Sequence, residues 1–413
     1  MAAGEGQKGA LVLDGDLGAL AIVRSLGRRD IPVWVLVDKN RLAAFSRYCT
    51  RSLPWPDAPE PDKVEWLKEL GRSHKLDDWV LFPASDESAR LLSLNRGSLT
   101  LQYRLTTPDW EVMRWAYDKR LTYQLAVELG LSHPLTFFPR NRNEVESIDC
   151  KFPVVLKPAY KQTLNRFTRS KAWLARSRSE LLALYDDAVL LVDPSIVIVQ
   201  EMIEGGGKNQ FSFACLCLDG RPLGSLTARR TRQYPVDFGY SSSLVETIEL
   251  PEIEILAKHL LSSLHYSGVA EVEFKYDPRD GEYKLLDMNP RFWSWHSLGA
   301  CAGVDFPFLL WQMVNDQTIE EVRARGGLKW VHMVMDLPAA AGDIWRGRIS
   351  LVDYLRSLSG ISEFAIYSRD DLLPALLEIA LLLFKRGSQF VKQHARQASP
   401  GRIRGAPSIT RVD

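Results

Sequence analysis

Short apolar runs alternate with longer amphipathic stretches over the first part of the chain. Leu11 to Leu13, "IPVWVLV" at 31–37 and the apolar run of "WVLFPASDE" are each apolar enough to be buried strands. Between the first two, "GDLGALAIVRSLGRRD" repeats its apolar residues at helical spacing. A second helix is expected from Glu87, after Ser85 and Asp86 at the end of the third run. Strands alternating with helices predict a parallel α/β sheet. The spacing closes this first domain near Pro108.

Beyond Pro108 the rhythm changes. "DKRLTYQLAVELG" reads as a helix ending at Gly130, with His133-Pro134 beyond it. "FPVVLKPAY", "RSELLALYDDAVLL" and "IVIVQEMI" then read strand, helix, strand. "QFSFACLCLDGRPLGSLTARR" predicts two strands around an Asp-Gly turn, and "GVAEVEFKYD" with "YKLLDMNPRFW" predicts a second hairpin across "DPRDGE". From about Gly303 the pattern turns helical and rich in Trp. The expected division is a Rossmann-like domain over 1–108, a second α/β and α+β unit over 109–320, and a helical extension with a basic tail over 321–413.

Composition narrows the field. A chain of 413 residues exceeds one ordinary core. Lys plus Arg number 52 and Asp plus Glu 51, a balance that argues against nucleic-acid binding through bulk charge. The five cysteines show no metal-ligand spacing and fit reduced thiols in a cytosolic protein. No apolar signal core opens the sequence. The longest apolar run, Leu372 to Phe384, has 13 residues and contains Pro374 and Glu378, so it is too short to span a bilayer. A soluble, cytoplasmic protein is expected.

The chemistry concentrates in the second hairpin. Asp287 and Asn289 lie two residues apart on an otherwise apolar strand, and so on one face of it. Burying a carboxylate and an amide there is costly unless something charged sits opposite. Pairing the hairpin strands brings Glu273 beside them, and the resulting oxygen ligands suit Mg²⁺ better than zinc. Lys157 ends a buried strand, where its ammonium either meets an anion or reaches solvent. Gln200-Glu201 and the glycines at 205–207 follow another strand and can present backbone groups and a carboxylate to an adenine edge; an ordinary strand and glycine turn would look the same. "LDGDLGAL" nearly matches a dinucleotide fingerprint, but Leu13 replaces the tight-turn glycine, so a scaffold presenting a small substrate is the better reading.

Taken in order, "DK" at 118–119, strand-borne Lys157, "VQEMIEG", "VEF" and "LLDMNPR" resemble the ATP-grasp superfamily, in particular its carboxylate–amine ligase branch, which includes D-aspartate ligase-like enzymes and is related to biotin carboxylase. The likeness covers roughly residues 10 to 315. It implies that Lys119 and Lys157 hold ATP phosphates and that Gln200, Glu201 and Ile203 form the adenine hinge, with Gln210 at the ribose. It further implies that Glu273, Asp287 and Asn289 bind Mg²⁺ or Mn²⁺, and that Arg291 steadies the transferred group. Among the arginines of "TARRTRQY", Arg229 and Arg232 are expected at the reacting carboxylate with Arg291, while at least one of Arg229, Arg230 and Arg232 forms only surface ion pairs. Two departures stand out. Asp287 replaces the usual glutamate, and the loop after Lys157 carries Lys161, Arg166, Arg169 and Lys171 in place of a glycine run.

The activity implied is phosphorylation of a small carboxylate to an acyl phosphate, followed by attack of an amine. Carboxylation through carboxyphosphate and a non-catalytic nucleotide-binding module are the alternatives. Small-molecule substrates, no nucleic acid and a homodimer are compatible with the resemblance. The end of the chain, a Leu-rich helix followed by seven Lys or Arg and the single acid Asp413, is either a docked terminal helix with a basic end or a peripheral membrane contact.

Overall fold

A computed structural model describes residues 8–160, 165–170, 172–234 and 241–380. Five parallel strands form the first sheet: β1 (Ala10–Leu13), β2 (Val33–Val37), β3 (Arg51–Pro54), β4 (Trp79–Pro83) and β5 (Tyr103–Leu105). Their order is β3-β2-β1-β4-β5. β1, β2 and β4 are buried throughout, as strands covered on both faces must be, which is why they read as continuous apolar runs. β3 begins Arg-Ser and is largely exposed, so no apolar run marks it.

The strand order reverses between β1 and β4, and their carboxyl ends open a crevice. Two helices begin there. Asp16 caps the helix Leu17–Gly27 by accepting from the Ala19 amide at 3.0 Å. Ser85 caps the helix Asp86–Leu94 in a reciprocal arrangement with Ser88. Gly15 has a local reason to be glycine: a Cβ there would meet the Asn40 carbonyl oxygen at 2.4 Å.

A four-stranded sheet follows, ordered β6-β9-β7-β8: β6 (Thr136–Phe137), β7 (Val154–Pro158), β8 (Trp173–Ala175) and β9 (Val197–Glu201). An eight-stranded sheet then takes β10 (Gln210–Leu218), β11 (Arg221–Tyr234), β12 (Ser241–Thr247), β13 (Gly268–Asp277), β14 (Glu282–Asn289), β15 (Val322–Arg323), β16 (Lys329–Val331) and β17 (Ile361–Phe364). Both expected hairpins are present. Asp219 and Gly220 have φ of 51° and 75°, the two positive values that a tight hairpin turn between β10 and β11 needs. In the β13–β14 hairpin Glu271 lies opposite Asn289 and Glu273 opposite Asp287, with an irregularity between Glu273 and Phe274.

The region after 320 departs from the helical extension expected. It contains helices Met333–Trp345 and Leu351–Ser357, but β15, β16 and β17 join the eight-stranded sheet. "KWV" and "ISEF" are too short and mixed to announce strands; pairing with β12 and with each other makes them so. The segment after β17 returns to the first sheet's helix. Buried Arg24 donates to Asp371 at 2.9 Å and to the Ile366 carbonyl at 2.7 Å. One hydrophobic core joins the helix Leu17–Gly27, through residues such as Leu20 and Val23, to Trp293, Trp295 and Phe306 and to Leu216 and Ala228 of the large sheet. That shared core fixes the crevice of the first sheet over the face of the third.

Candidate active site

The three sheets enclose a cleft of about 640 Å³. Asp16, Ser85 and Asp86 enter it from the first sheet, Lys157, Gln200 and Glu201 from the second, and Glu271, Glu273, Asp287 and Asn289 from the hairpin. Of the site residues expected from sequence, Lys119, Lys157, Gln200, Glu201, Ile203, Gln210, Glu273, Asp287, Asn289 and Arg291 all line it.

The cations come first. Asp118 caps the helix Lys119–Glu128, and this places Lys119 at the helix start, where its Nζ meets Asp287 Oδ1 at 2.7 Å. Burial works against the charge of Lys119, but the Asp287 carboxylate outweighs it and the pKa stands above the ordinary value. Lys157 is different. Its Nζ donates to the Tyr123 hydroxyl at 2.8 Å; burial, with Lys119 nearby, pushes its pKa down to about 7. Tyr123 in turn donates to the Leu286 carbonyl at 2.7 Å, so one side chain supports Lys157 and the bulged strand together.

Across the cleft the hairpin carboxylates are crowded. Glu271 accepts from Ser212 at 3.0 Å and from the Asn289 amide at 3.0 Å. Burial and the neighbouring Glu273 hold its carboxyl well above the usual range. Glu273 accepts from Gln210 at 2.5 Å, from Arg230 at 3.1 Å and from Asn289 at 3.4 Å. Among the described residues no cluster of three His, Cys, Asp or Glu side chains is arranged to hold a metal by itself. Glu273, Asp287 and Asn289 nevertheless offer hard oxygens from the paired strands β13 and β14 beside two lysines, and Mg²⁺ bound with a nucleotide takes one or two carboxylates and completes its shell with phosphate and water.

At the far end Arg291 donates to Asp86 at 2.6 Å and to the Phe292 carbonyl at 2.9 Å. Burial opposes its charge, yet Asp86, Glu271 and Asp16 together favour the charged form. At the end of β9, Glu201 accepts from the Leu135 amide at 2.9 Å and from Arg279 at 3.0 Å, while Gln200 donates to Thr136 at 2.7 Å.

Two of the expected arginines are not brought to the cleft. Arg229 points to the exposed side of β11 and pairs with Glu246 at 3.0 Å. Arg232 grips fully buried Asp336 with two bonds, of 2.9 and 2.7 Å, donates to Ser357 and lies 5.0 Å from the Tyr354 ring. Alternation along β11 sends Arg229 outward and Arg230 inward, and an irregular register beyond Arg230 carries Arg232 to the helix Met333–Trp345. Arg230 is the one of the three that lines the cleft. It was passed over because sequence gives no strand phase inside an "ARRTR" run. Tyr123, Glu271 and the aromatic wall of Trp293 and Trp295 were also not assigned roles from sequence. Asp86 was legible only as a strand-end acid. In the loop after Lys157, Arg169 lines the cleft, whereas Arg166 pairs with Asp187 at 2.8 Å; Lys161 and Lys171 lie outside the described residues.

These placements separate the arginines by experiment. Arg229→Ala is expected to leave turnover and melting temperature nearly unchanged, since an exposed pair contributes about 0–1 kcal/mol. Arg232→Ala is expected to cost about 3–5 kcal/mol of stability by leaving Asp336 buried without its partner. Thermal melts and steady-state rates of the two variants check both statements.

No family model matches the chain. In sequence it is similar to a D-aspartate ligase of Enterococcus faecium, 26% identical over 254 residues, covering 56% of this chain and 58% of that ligase. The match thus spans little more than half the length of that curated relative. In structure it is similar to the biotin carboxylase domain of Hydrogenobacter thermophilus 2-oxoglutarate carboxylase, with a TM-score of 0.60 and 14% identity over 78% of this chain and 74% of that one. An L-amino acid ligase from Bacillus licheniformis gives 0.56 and 15% over 74% of each chain. N5-carboxyaminoimidazole synthetase from Staphylococcus aureus gives 0.57 and 14%, over 78% of this chain and 81% of that one. The fold is therefore the ATP-grasp fold that the ordered motifs implied.

Proposed function

We propose that the protein is an ATP-dependent carboxylate–amine ligase. The observation that carries this reading is the convergence of Lys119 and Lys157 on Glu273, Asp287 and Asn289 within one cleft that also holds the Gln200–Ile203 hinge. Residues 1–108 serve as the Rossmann-like domain that presents substrate, 109–320 as the ATP-binding body, and 321–413 as an extension of it. The carboxylate and amine would enter from the first sheet's crevice, between Asp86, Arg291 and Arg230. The sequence relative's name makes aspartate, in both enantiomers, the first substrate to try. Five free thiols fit a cytoplasmic setting.

The residues divide the work. Backbone at Glu201–Ile203 would receive the adenine edge, with Gln210 toward the ribose. Lys119 and Lys157 would neutralise phosphate charge; in the absence of nucleotide, Asp287 and Tyr123 keep their ammonium groups in place. Glu273, Asp287 and Asn289 would hold Mg²⁺ or Mn²⁺, which supplies charge neutralisation to the transferring phosphoryl group. Arg291, fixed by Asp86, and Arg230, fixed by Glu273, are placed to steady the carboxylate and the acyl phosphate made from it. Trp293 and Trp295 would exclude water, which otherwise hydrolyses that intermediate.

The test is phosphate release over a panel of carboxylates crossed with amines. Release that needs ATP, one carboxylate and one amine together, with an amide as product, supports the ligase. Bicarbonate-dependent release with no amide would instead identify a carboxyphosphate enzyme. Nucleotide binding without release over the whole panel would leave a regulatory module.

A further inference from the structure

The last described part of the chain turns apolar side chains to solvent on three neighbouring elements. Residues 373–380 are helical, and the exposed positions there are Leu373, Leu376, Ile379 and Ala380, one face at helical spacing, with Leu372 just before it. The opposite face is the docked one: Pro374 is buried, and the Glu378 carboxylate accepts from His332 Nε2 at 2.9 Å. His332 immediately precedes the helix Met333–Trp345, whose final residue, Trp345, is 87% exposed. The helix Leu351–Ser357 buries only Tyr354, which packs on the Arg232 that grips Asp336, and exposes Leu351, Val352 and Leu355. His332, Asp336 and Tyr354 thus tie the three elements together on their inner sides, while their outer sides are leucine-rich.

Single exposed apolar residues are ordinary; several on each of two short neighbouring helices are not. Arg346, Arg348, Arg356 and Arg369 of this region are all exposed, Arg348 pairing with Asp343 at 3.4 Å and Arg356 with Asp353 at 3.7 Å. The sequence continues from the 373–380 helix into "LLLFKRGSQFVKQHARQ", and its final residues from Lys385 onward carry seven Lys or Arg against one acid. A second copy of the chain fits poorly, because a two-fold contact through this face would set its arginines against their own equivalents. An apolar helix face that continues into a basic sequence suits a surface that is apolar below and anionic above.

We propose that this face docks on an anionic lipid surface, with Leu373, Leu376, Ile379 and Trp345 entering the interface and the arginines meeting head groups. The contact is peripheral. Among the described residues no helix is long and apolar enough to cross a membrane. None of these apolar residues lines the cleft.

Sedimentation of the full chain with vesicles tests the proposal without any substrate. The protein is expected to pellet with phosphatidylcholine vesicles containing about 30% phosphatidylglycerol at low salt, to pellet far less at high salt, and to stay in solution with phosphatidylcholine alone. Leu373→Asp/Leu376→Asp is expected to lower the bound fraction at least about tenfold with an unchanged melting temperature, because both side chains already face water. Trp345→Ala provides a second variant on a different element, with a smaller loss expected. Absence of binding to anionic vesicles at low salt overturns the proposal. So does equal binding by the leucine variant and the parent, which would assign attraction to charge alone. A parent dimer in analytical ultracentrifugation that the leucine variant dissolves would assign the face to a second copy.

Discussion

Asp287→Asn is expected to lower ATP turnover by roughly a hundred- to a thousandfold while leaving the fold intact, the scale of loss when one group that stabilises transferring charge is removed. Substitutions of Asp287 and Glu273, the carboxylates of the proposed metal site, differ in their cost to stability. Asp287 is paired with Lys119, which is only partly buried, so water can take over part of the partnership and the stability loss stays small. Glu273 is not so placed. It and Arg230 are both nearly inaccessible, at 7% and 8% side-chain exposure. Glu273→Gln therefore leaves a buried guanidinium without its counter-charge, and a loss of about 3–5 kcal/mol accompanies the loss of activity. Asp287→Glu restores the residue usual in ATP-grasp enzymes and is expected to keep measurable turnover. Melting curves alongside rates distinguish the cases. Wild-type turnover in Asp287→Asn would remove the metal assignment.

Lys157→Met is expected to weaken ATP binding by roughly tenfold to a thousandfold, since it removes one partner of a charge pair formed on binding. The pH dependence makes this sharper. Without nucleotide, burial and Lys119 hold the Lys157 pKa down to about 7, so a substantial part of the population carries neutral lysine above that pH. An anionic phosphate favours the ammonium and raises the pKa in the complex. Binding is then expected to take up a proton above about pH 7, and affinity to fall as pH rises until the pKa of the complex is passed. Calorimetry in buffers of different ionisation enthalpy reads the uptake directly. Proton uptake that persists in Lys157→Met would assign it to another group.

The contrast between Lys157 and the arginines shows what sequence could carry. Lys157, Glu273 and Asp287 were legible because each breaks an otherwise apolar strand, and β-strand alternation then fixes which of them share a face. The hairpins were legible through Asp-Gly steps. Arg229 and Arg232 were misplaced because β11 is irregular between Arg230 and Gln233, and phase cannot be read through an irregularity in a run of polar residues. The strands β15, β16 and β17 were invisible for a different reason: each has four residues or fewer and exists by pairing with strands of a sheet already built. Likewise Asp86 gains its role only when the shared core sets the first sheet's crevice against Arg291.

The acyl phosphate is the centre of the proposed chemistry, and oxygen labelling reports on it directly. With both carboxylate oxygens of the accepted substrate carrying ¹⁸O, attack of one on the γ-phosphorus makes it the bridging atom of the intermediate. Amine attack at the acyl carbon then breaks the carbon–oxygen bond and sends that oxygen out with phosphate. The expected result is one ¹⁸O in each phosphate released per amide formed. Amide formation with wholly unlabelled phosphate, or with AMP and pyrophosphate as products, would contradict it.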